Sequence, residues 1–411
     1  MLEVVETEKK LLDDYINIVG KKEIEEIKRL ALPLMEKKVI HINATSYGGG
    51  VAEILSTLVP LMKDVGLEAE WQVIKGSDDF FSATKAIHNG LQGMDVSFTE
   101  EMEKIFLKNN QLNEKLFEDE YDFVVIHDPQ PVAILNYRRE KIGKWIWSIH
   151  IDPTQAQENI WQFIKPLVEK YDAAVFTLKE YVKEDLKMKN VAIIPPAIDP
   201  LSPKNIELDQ KMIEDIVRKF KVDPDRPIIT QVSRFDPWKD PLGVIDMYRM
   251  VKKEIKNVQL ILITSIMAHD DPEGWEYYEK TSRHAGEDYD IHLLSNLNGV
   301  ENLEVNAFQR ASNVIIQKSL REGFGLVITE ALWKGKPVVA GNVGGIPLQV
   351  DNRRTGYLVG GISECAEKVI YLLRNSEIAA KMGISGKEYV RKNFLVTRLL
   401  KDYLCLFNSL K

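Results

Sequence analysis

Strand-sized apolar runs recur along the chain, separated by stretches of helical length in which apolar positions return every three or four residues. Unbroken β-branched runs are the pattern of strands buried on both faces, and their alternation with amphipathic helices predicts parallel sheets. In the first half, strands are predicted at KKVIHIN, EWQVIK, DFVVIH, WIWSIH, AAVFTL and VAIIPP. The series restarts with PIITQVSRF, QLILIT, IHLLS, NVIIQ, KPVVAG and GYLVG. The fold class is therefore α/β, with two doubly wound, Rossmann-like domains. Open sheets of this kind bind ligands beyond the carboxyl ends of their strands, so two that face each other are expected to frame a deep cleft.

Between the two series, IIPPAIDPLSPKN sets Pro195, Pro196, Pro200 and Pro203 within nine residues, a stiff connection without regular structure. The expected domains are 1–205 and 206–389. After GYLVGG the pattern is helical to the last residue. The segment 390–411 carries an apolar stripe that needs a surface to cover it, expected on the first domain.

Composition narrows the functional classes. A chain of 411 residues is longer than one core usually supports, and 45% hydrophobic with 28% charged residues is a globular balance. The net charge of −8 argues against a nucleic-acid partner, which requires a basic surface. Two cysteines, Cys365 and Cys405, cannot form a disulfide framework or a four-thiolate zinc site. The start, MLEVVETEKKLLDDY, lacks the pattern of a signal peptide, and no apolar run approaches the roughly 20 residues of a membrane helix. A cytoplasmic protein without a membrane partner is expected. The dominance of lysine and glutamate among the charged residues hints at a heat-adapted source.

The chemistry concentrates just after predicted strands. In SLREGFGLVITEAL, Glu322 and Glu330 flank Gly323 and Gly325, with LREGFG read as a turn and LVITEALWKG as a helix closed by Gly335. A helix start offers unpaired N–H groups and partial positive charge, and glycine lets a phosphate come close. Glu330 lies about 6 Å further along the axis, at about 1.5 Å per residue. A carboxylate beside a phosphate is repulsive unless it accepts hydrogen bonds from hydroxyls, which sugars supply. The pattern points to a nucleotide sugar, with Glu330 on the ribose and Glu322 on the transferred sugar. The plain alternative is an ordinary turn with exposed glutamates.

SRFDPWKDP follows the strand PIITQV and presents Arg234 and Lys239, which would neutralise a pyrophosphate leaving as the bond to the sugar breaks. Ion pairs with Asp236 or Asp240 are the alternative. INATSYGGGVAEILSTL carries Gly48, Gly49 and Gly50 between a strand and a helix. Glu70, about 20 residues on, suits a dinucleotide fingerprint, but Glu53 occupies the place of its third glycine. A loop reaching toward a ligand held by the other domain fits better. VVIHDPQP and WIWSIHIDP each end a strand with a histidine and an aspartate, so His127, Asp128, His150 and Asp152 are candidates for the acceptor face. No paired-histidine or cysteine motif supports zinc. His269, Asp270 and Asp271 in MAHDDPEGW read as a helix cap.

Taken together these residues resemble the retaining glycosyltransferases of family 4, which share the two-domain fold called GT-B. The resemblance covers nearly the whole chain and is carried by EGFGLVITEALWKGKPVVAGNVGGIPLQV. Asn313 stands where that family commonly has Asp, and Gln317-Lys318 replaces an apolar-Pro pair. HDPQP, HIDP, PPAIDPLSPKN and RFDPWKDP resemble members that move glucose from a nucleoside diphosphate glucose to free glucose, giving α,α-trehalose. The resemblance implies that Arg234, Lys239 and the backbone of Gly323, Phe324, Gly325, Leu326 and Val327 hold the diphosphate. It places Glu330 on the ribose, Glu322 on the donor glucose and His150 near the reacting carbon. Gly48, Gly49 and Gly50 would approach both the donor phosphate and the acceptor.

No obligatory cofactor is implied, with Mg2+ at most a counter-ion of the diphosphate, and a homodimer is compatible with the family. Rival readings are a family 4 glucosyltransferase with another acceptor, as in sucrose or sugar-phosphate synthesis, and a nucleotide-sugar epimerase of the same fold. A sensor that binds donor without consuming it and a nicotinamide-dependent oxidoreductase are the further alternatives.

Overall fold

The computed structural model describes residues 1–117, 120–264 and 273–411. The expected cap at His269, Asp270 and Asp271 lies outside them. Two compact units are present: Met1–Ala197 together with Val396–Lys411, and Ile198–Leu395. The division thus falls inside the proline-rich run, before Pro200 and Pro203. Ile198 N donates to Phe394 O at 2.9 Å, so the two passages of the chain leave the second unit side by side.

The first unit is built on seven strands: β1 (Glu3–Val4), β2 (Lys38–Asn43), β3 (Glu68–Val73), β4 (Phe123–His127), β5 (Lys144–Ser148), β6 (Ala173–Phe176) and β7 (Val191–Ile193). Their order is β1-β3-β2-β4-β5-β6-β7. All pairs are parallel except β1 with β3. Every residue of β4 is buried, as an unbroken apolar run between helical layers requires. The sequence order reverses between β2 and β4, and this switch point fixes where the carboxyl ends open to a ligand.

The second unit holds β8 (Ile228–Val232), β9 (Gln259–Thr264), β10 (Ile291–Ser295), β11 (Val314–Gln317), β12 (Val338–Gly341) and β13 (Gly356–Val359). The order is β10-β9-β8-β11-β12-β13, all parallel. Its switch point lies between β8 and β11. These strands precede the two constellations singled out in the second half, so SRFDPWKD and LREGFG emerge from neighbouring strand ends for a topological reason.

The last helix, Val396–Leu410, belongs to the first unit. Its stripe of Leu399, Leu400, Tyr403, Leu404 and Phe407 is buried. Phe407 stacks on Phe123 at 4.4 Å between ring centroids, and Lys401 pairs with Glu23 and Glu26 of the helix Lys21–Ala31. Burying an aromatic side chain of this kind is worth about 1.5–3 kcal/mol. No described helix is long and apolar enough to cross a membrane.

Candidate active site

In the second unit the chain leaves β11 through Lys318 and Ser319, turns, and enters the helix Leu326–Trp333. Gly325 sits at φ 89°, in the left-handed region, and a Cβ there would come within 3.1 Å of Glu322 Cγ. Both the backbone and the close carboxylate therefore favour glycine. No side chain caps this helix, which leaves the first turn around Leu326 and Val327 suited to an anion. Phe324 is buried and its carbonyl accepts from Gln349 Nε2, locking the turn to the following segment.

Glu322 is 7% exposed, and its Oε2 accepts from Lys239 Nζ at 2.5 Å, Ser319 Oγ at 3.1 Å and Gln317 Nε2 at 3.4 Å. Lys239 ends the short turn Pro237–Lys239, which Asp236 caps by accepting from Lys239 N at 2.9 Å. The next residue, Asp240, caps the helix Pro241–Glu254 through Gly243 N and pairs with the buried Lys318. Two adjacent residues after β8 are thus cross-paired with two residues after β11: Lys239 with Glu322 and Asp240 with Lys318. Lys239 does not pair with Asp236 or Asp240. Arg234 Nη2 lies 3.6 Å from Asp236 Oδ2, and its side chain is 44% exposed.

Glu330 is fully buried. Its Oε1 lies 3.2 Å from Lys204 Nζ, and its Oε2 accepts from Gln309 Nε2 at 3.2 Å. Burial pushes this carboxyl up, but the charges of Lys204 and Lys334 and the hydrogen bond from Gln309 outweigh it, so the group lies below its ordinary value and is ionised. Neither glutamate is exposed, which removes the reading of this stretch as an ordinary solvent-facing turn.

In the first unit, the loop after β2 is anchored by Asn43, whose Oδ1 accepts from Trp71 Nε1 at 2.7 Å and whose Nδ2 donates to Thr45 O at 2.7 Å. Gly48 and Gly49 have φ of 77° and 86°, with nothing within 4 Å of an added Cβ, so glycine is demanded by the backbone and not by space. Gly50 opens the helix Gly50–Asp64, and Glu53 lies in its first turn. Glu70, within β3, accepts from Tyr121 Oη.

The histidines correct the sequence reading. His127 is 1% exposed and both its ring nitrogens are engaged: Nε2 with His41 Nδ1 and Nδ1 with His150 Nε2, each at 2.9 Å. It cannot touch an acceptor directly. Asp128, at φ 62°, ties two strand ends together: its Oδ1 accepts from His150 N at 2.9 Å and its backbone N donates to Ser148 O. Burial raises the Asp128 carboxyl, an effect opposed by His150. Asp152 turns back on its own loop, accepting from Thr154 N and Oγ1. Of the four residues expected on the acceptor face, His150 remains as a half-buried ring beyond the end of β5.

Sequence reasoning passed over His41, Lys204, Gln309 and the supporting role of Gln317 and Lys318. The available signal was the parallel between VIHIN and VVIHD, which place His41 and His127 in buried runs of like pattern. Among the described residues no group of three or more His, Cys, Asp or Glu is arranged to hold a metal ion.

Residues 212–389 match the family model described as glycosyl transferases group 1, and residues 41–183 match trehalose synthase, N-terminal domain. The chain is 52% identical over 404 residues to the trehalose synthase of Thermococcus litoralis, covering 98% of each chain. It is 50% identical over 419 residues to the trehalose synthase of Rubrobacter xylanophilus, covering 100% of this chain and 99% of the relative. Among solved structures, an α,α-trehalose-phosphate synthase (UDP-forming) from Burkholderia xenovorans in complex with glucose-6-phosphate is similar with a TM-score of 0.74 at 13% identity, over 90% of this chain and 100% of that one. The two parallel-sheet units are those of the GT-B class, and the protein is a glycosyltransferase. It belongs to the trehalose synthase family.

Proposed function

We propose that the protein transfers glucose from a nucleoside diphosphate glucose to free glucose with retention at the anomeric carbon, forming α,α-trehalose reversibly. The observation that carries this reading is the second unit's switch point. There an uncapped helix start, the cation Lys239 and two buried carboxylates lie within one short stretch of structure. A diphosphate suits the first two, and sugar hydroxyls suit the carboxylates. The names of the full-length relatives support the product, and the UDP-forming neighbour supports a nucleotide donor.

In this mechanism the diphosphate departs first, leaving an oxocarbenium-like glucosyl group. The acceptor hydroxyl attacks from the face the diphosphate has left, and a diphosphate oxygen takes its proton. Lys239 and Arg234 stabilise the developing charge of the leaving group. Gly323, Phe324, Gly325, Leu326 and Val327 supply backbone contacts to the phosphates, while Glu322 accepts from donor glucose hydroxyls and Glu330 from the ribose. Gly48, Gly49 and Gly50 leave room for the donor phosphate, and His150 meets the sugar near the reacting carbon. No metal is required, magnesium serving only as a counter-ion.

The test is product analysis with several nucleoside diphosphate glucoses, each offered glucose, glucose 6-phosphate or fructose. Trehalose is expected from glucose alone. A product only with glucose 6-phosphate or fructose would reassign the acceptor, and turnover of donor without any acceptor would replace transfer by epimerisation.

A further inference from the structure

Three histidine rings stand in line across neighbouring strands of the first unit. His41 in β2 lies edge-on beside His127 in β4, and His127 beside His150 just beyond β5, with ring centroids 5.2 Å apart in both pairs and ring planes inclined by 24° and 21°. The nitrogens meet edge to edge: His41 Nδ1 with His127 Nε2, and His127 Nδ1 with His150 Nε2, at 2.9 Å each. Burial lowers the pKa of all three, that of His41 to about 3, so the rings are neutral at neutral pH. A neutral imidazole has one N–H and one bare nitrogen.

The array consequently has two proton orders. In the first, His41 donates to His127, His127 donates to His150 Nε2, and His150 carries its proton on Nδ1. In the second, the chain runs backward and His41 must carry an N–H on Nε2. That nitrogen is buried without a hydrogen-bond partner among the described residues. A buried donor left unpaired loses its hydration without compensation, and orphaned N–H groups are rarer than underused acceptors. Ser148 Oγ lies 3.3 Å from His150 Nε2 and Tyr403 Oη 3.4 Å from Ser148 Oγ, so a hydroxyl proton can also be directed at that nitrogen, which suits an acceptor there.

We propose that His41 and His127 are positioning residues that hold His150 as the Nδ1–H tautomer, a neutral hydrogen-bond donor to a sugar hydroxyl. The sugar contact rests on the function proposed above; the tautomer does not. Full-length protein labelled with 15N in its histidines is examined by long-range 1H–15N correlation, with His150 assigned from the spectrum of His150→Gln. His150 is expected to show a protonated Nδ1 and a bare Nε2. His41→Phe removes the terminal donor and should move proton density to His150 Nε2, whereas His41→Asn retains a donor at the Nδ1 place and should restore the wild-type pattern.

Turnover in His41→Phe should fall on the order of tenfold, the worth of one neutral hydrogen bond in the transition state, with donor KM nearly constant. A wild-type His150 protonated on Nε2 overturns the proposal, as does an unchanged His150 spectrum in folded His41→Phe. If His41→Phe does not fold, the wild-type spectrum decides alone. Absence of disaccharide synthesis by the wild type would instead sink the functional reading and leave the tautomer result standing.

Discussion

Replacing Glu330 separates a structural role from a binding one. From the sequence, Glu330→Ala is expected to weaken donor binding more than it alters folding. The structure makes the folding effect substantial, because the carboxylate is fully buried between Lys204 Nζ and Gln309 Nε2, each at 3.2 Å. Removing one member of a buried pair costs about 3–5 kcal/mol, chiefly by stranding the partner charge. Lys334 keeps Asn205 Oδ1 at 2.8 Å, and the Lys204 side chain is 17% exposed and can turn outward, so the lower end applies, about 3 kcal/mol for Glu330→Gln.

Urea unfolding monitored by tryptophan fluorescence measures this loss, and adding Lys204→Met to Glu330→Gln should recover about 1 kcal/mol or more as a coupling between neighbours. The sign with pH follows from the depressed carboxyl. Its contribution is complete above the ordinary value of 4.5 and disappears as pH falls through the lower folded value, so wild type and Glu330→Gln should converge in stability only in acid. A variant within about 0.5 kcal/mol of wild type at neutral pH would refute the buried-pair account. Donor titration by calorimetry on the folded variant then tests the ribose contact, which unchanged affinity would remove.

Lys239→Ala and Arg234→Ala should each lower turnover about 10²-fold, the loss of one preorganised charge; near-normal steady-state rates would take them out of the mechanism. Lys318→Met strands Asp240 and should destabilise by roughly 3 kcal/mol in thermal or urea unfolding, with turnover reduced because the neighbouring Lys239 loses its fixed backbone. An unaltered transition would show that pair to be incidental. Lys336 is lowered to about 8 by burial, with the charge of Arg310 acting in the same direction. Because its folded pKa lies below the ordinary 10.5, wild-type stability should rise as pH climbs from 8 toward 10.5. Lys336→Met should be more stable than wild type at pH 7 by calorimetry and lack that rise.

Most strands were legible as short apolar runs, as in the fully buried β4, β9 and β11, whereas the two-residue, exposed β1 carries no such run and was not predicted. The turn around Gly325 was legible for a local reason too: a positive φ and a helix entrance leave marks within a few residues. Gln317 and Lys318 stood only as departures from a family pattern. Gln317 meets Glu322 within the turn that follows its own strand, whereas the Lys318 partner Asp240 became apparent once β8 and β11 proved to be neighbours. The misreading of His127 has the same origin, since a histidine at a strand end can face a ligand or another strand, and the periodicity is identical.

The amino-acid sequence by itself determined the parallel α/β class and the glycine-dependent turns, both of which rest on interactions between residues close along the chain. Tertiary structure alone decided which charges neutralise one another and how the three imidazoles share their protons. Those outcomes depend on strand order and register, where residues such as His41 and His127 meet at 2.9 Å across a long stretch of intervening chain. In a buried site, hydrogen-bond direction and ionisation follow from the last few ångströms of packing, which no local pattern encodes.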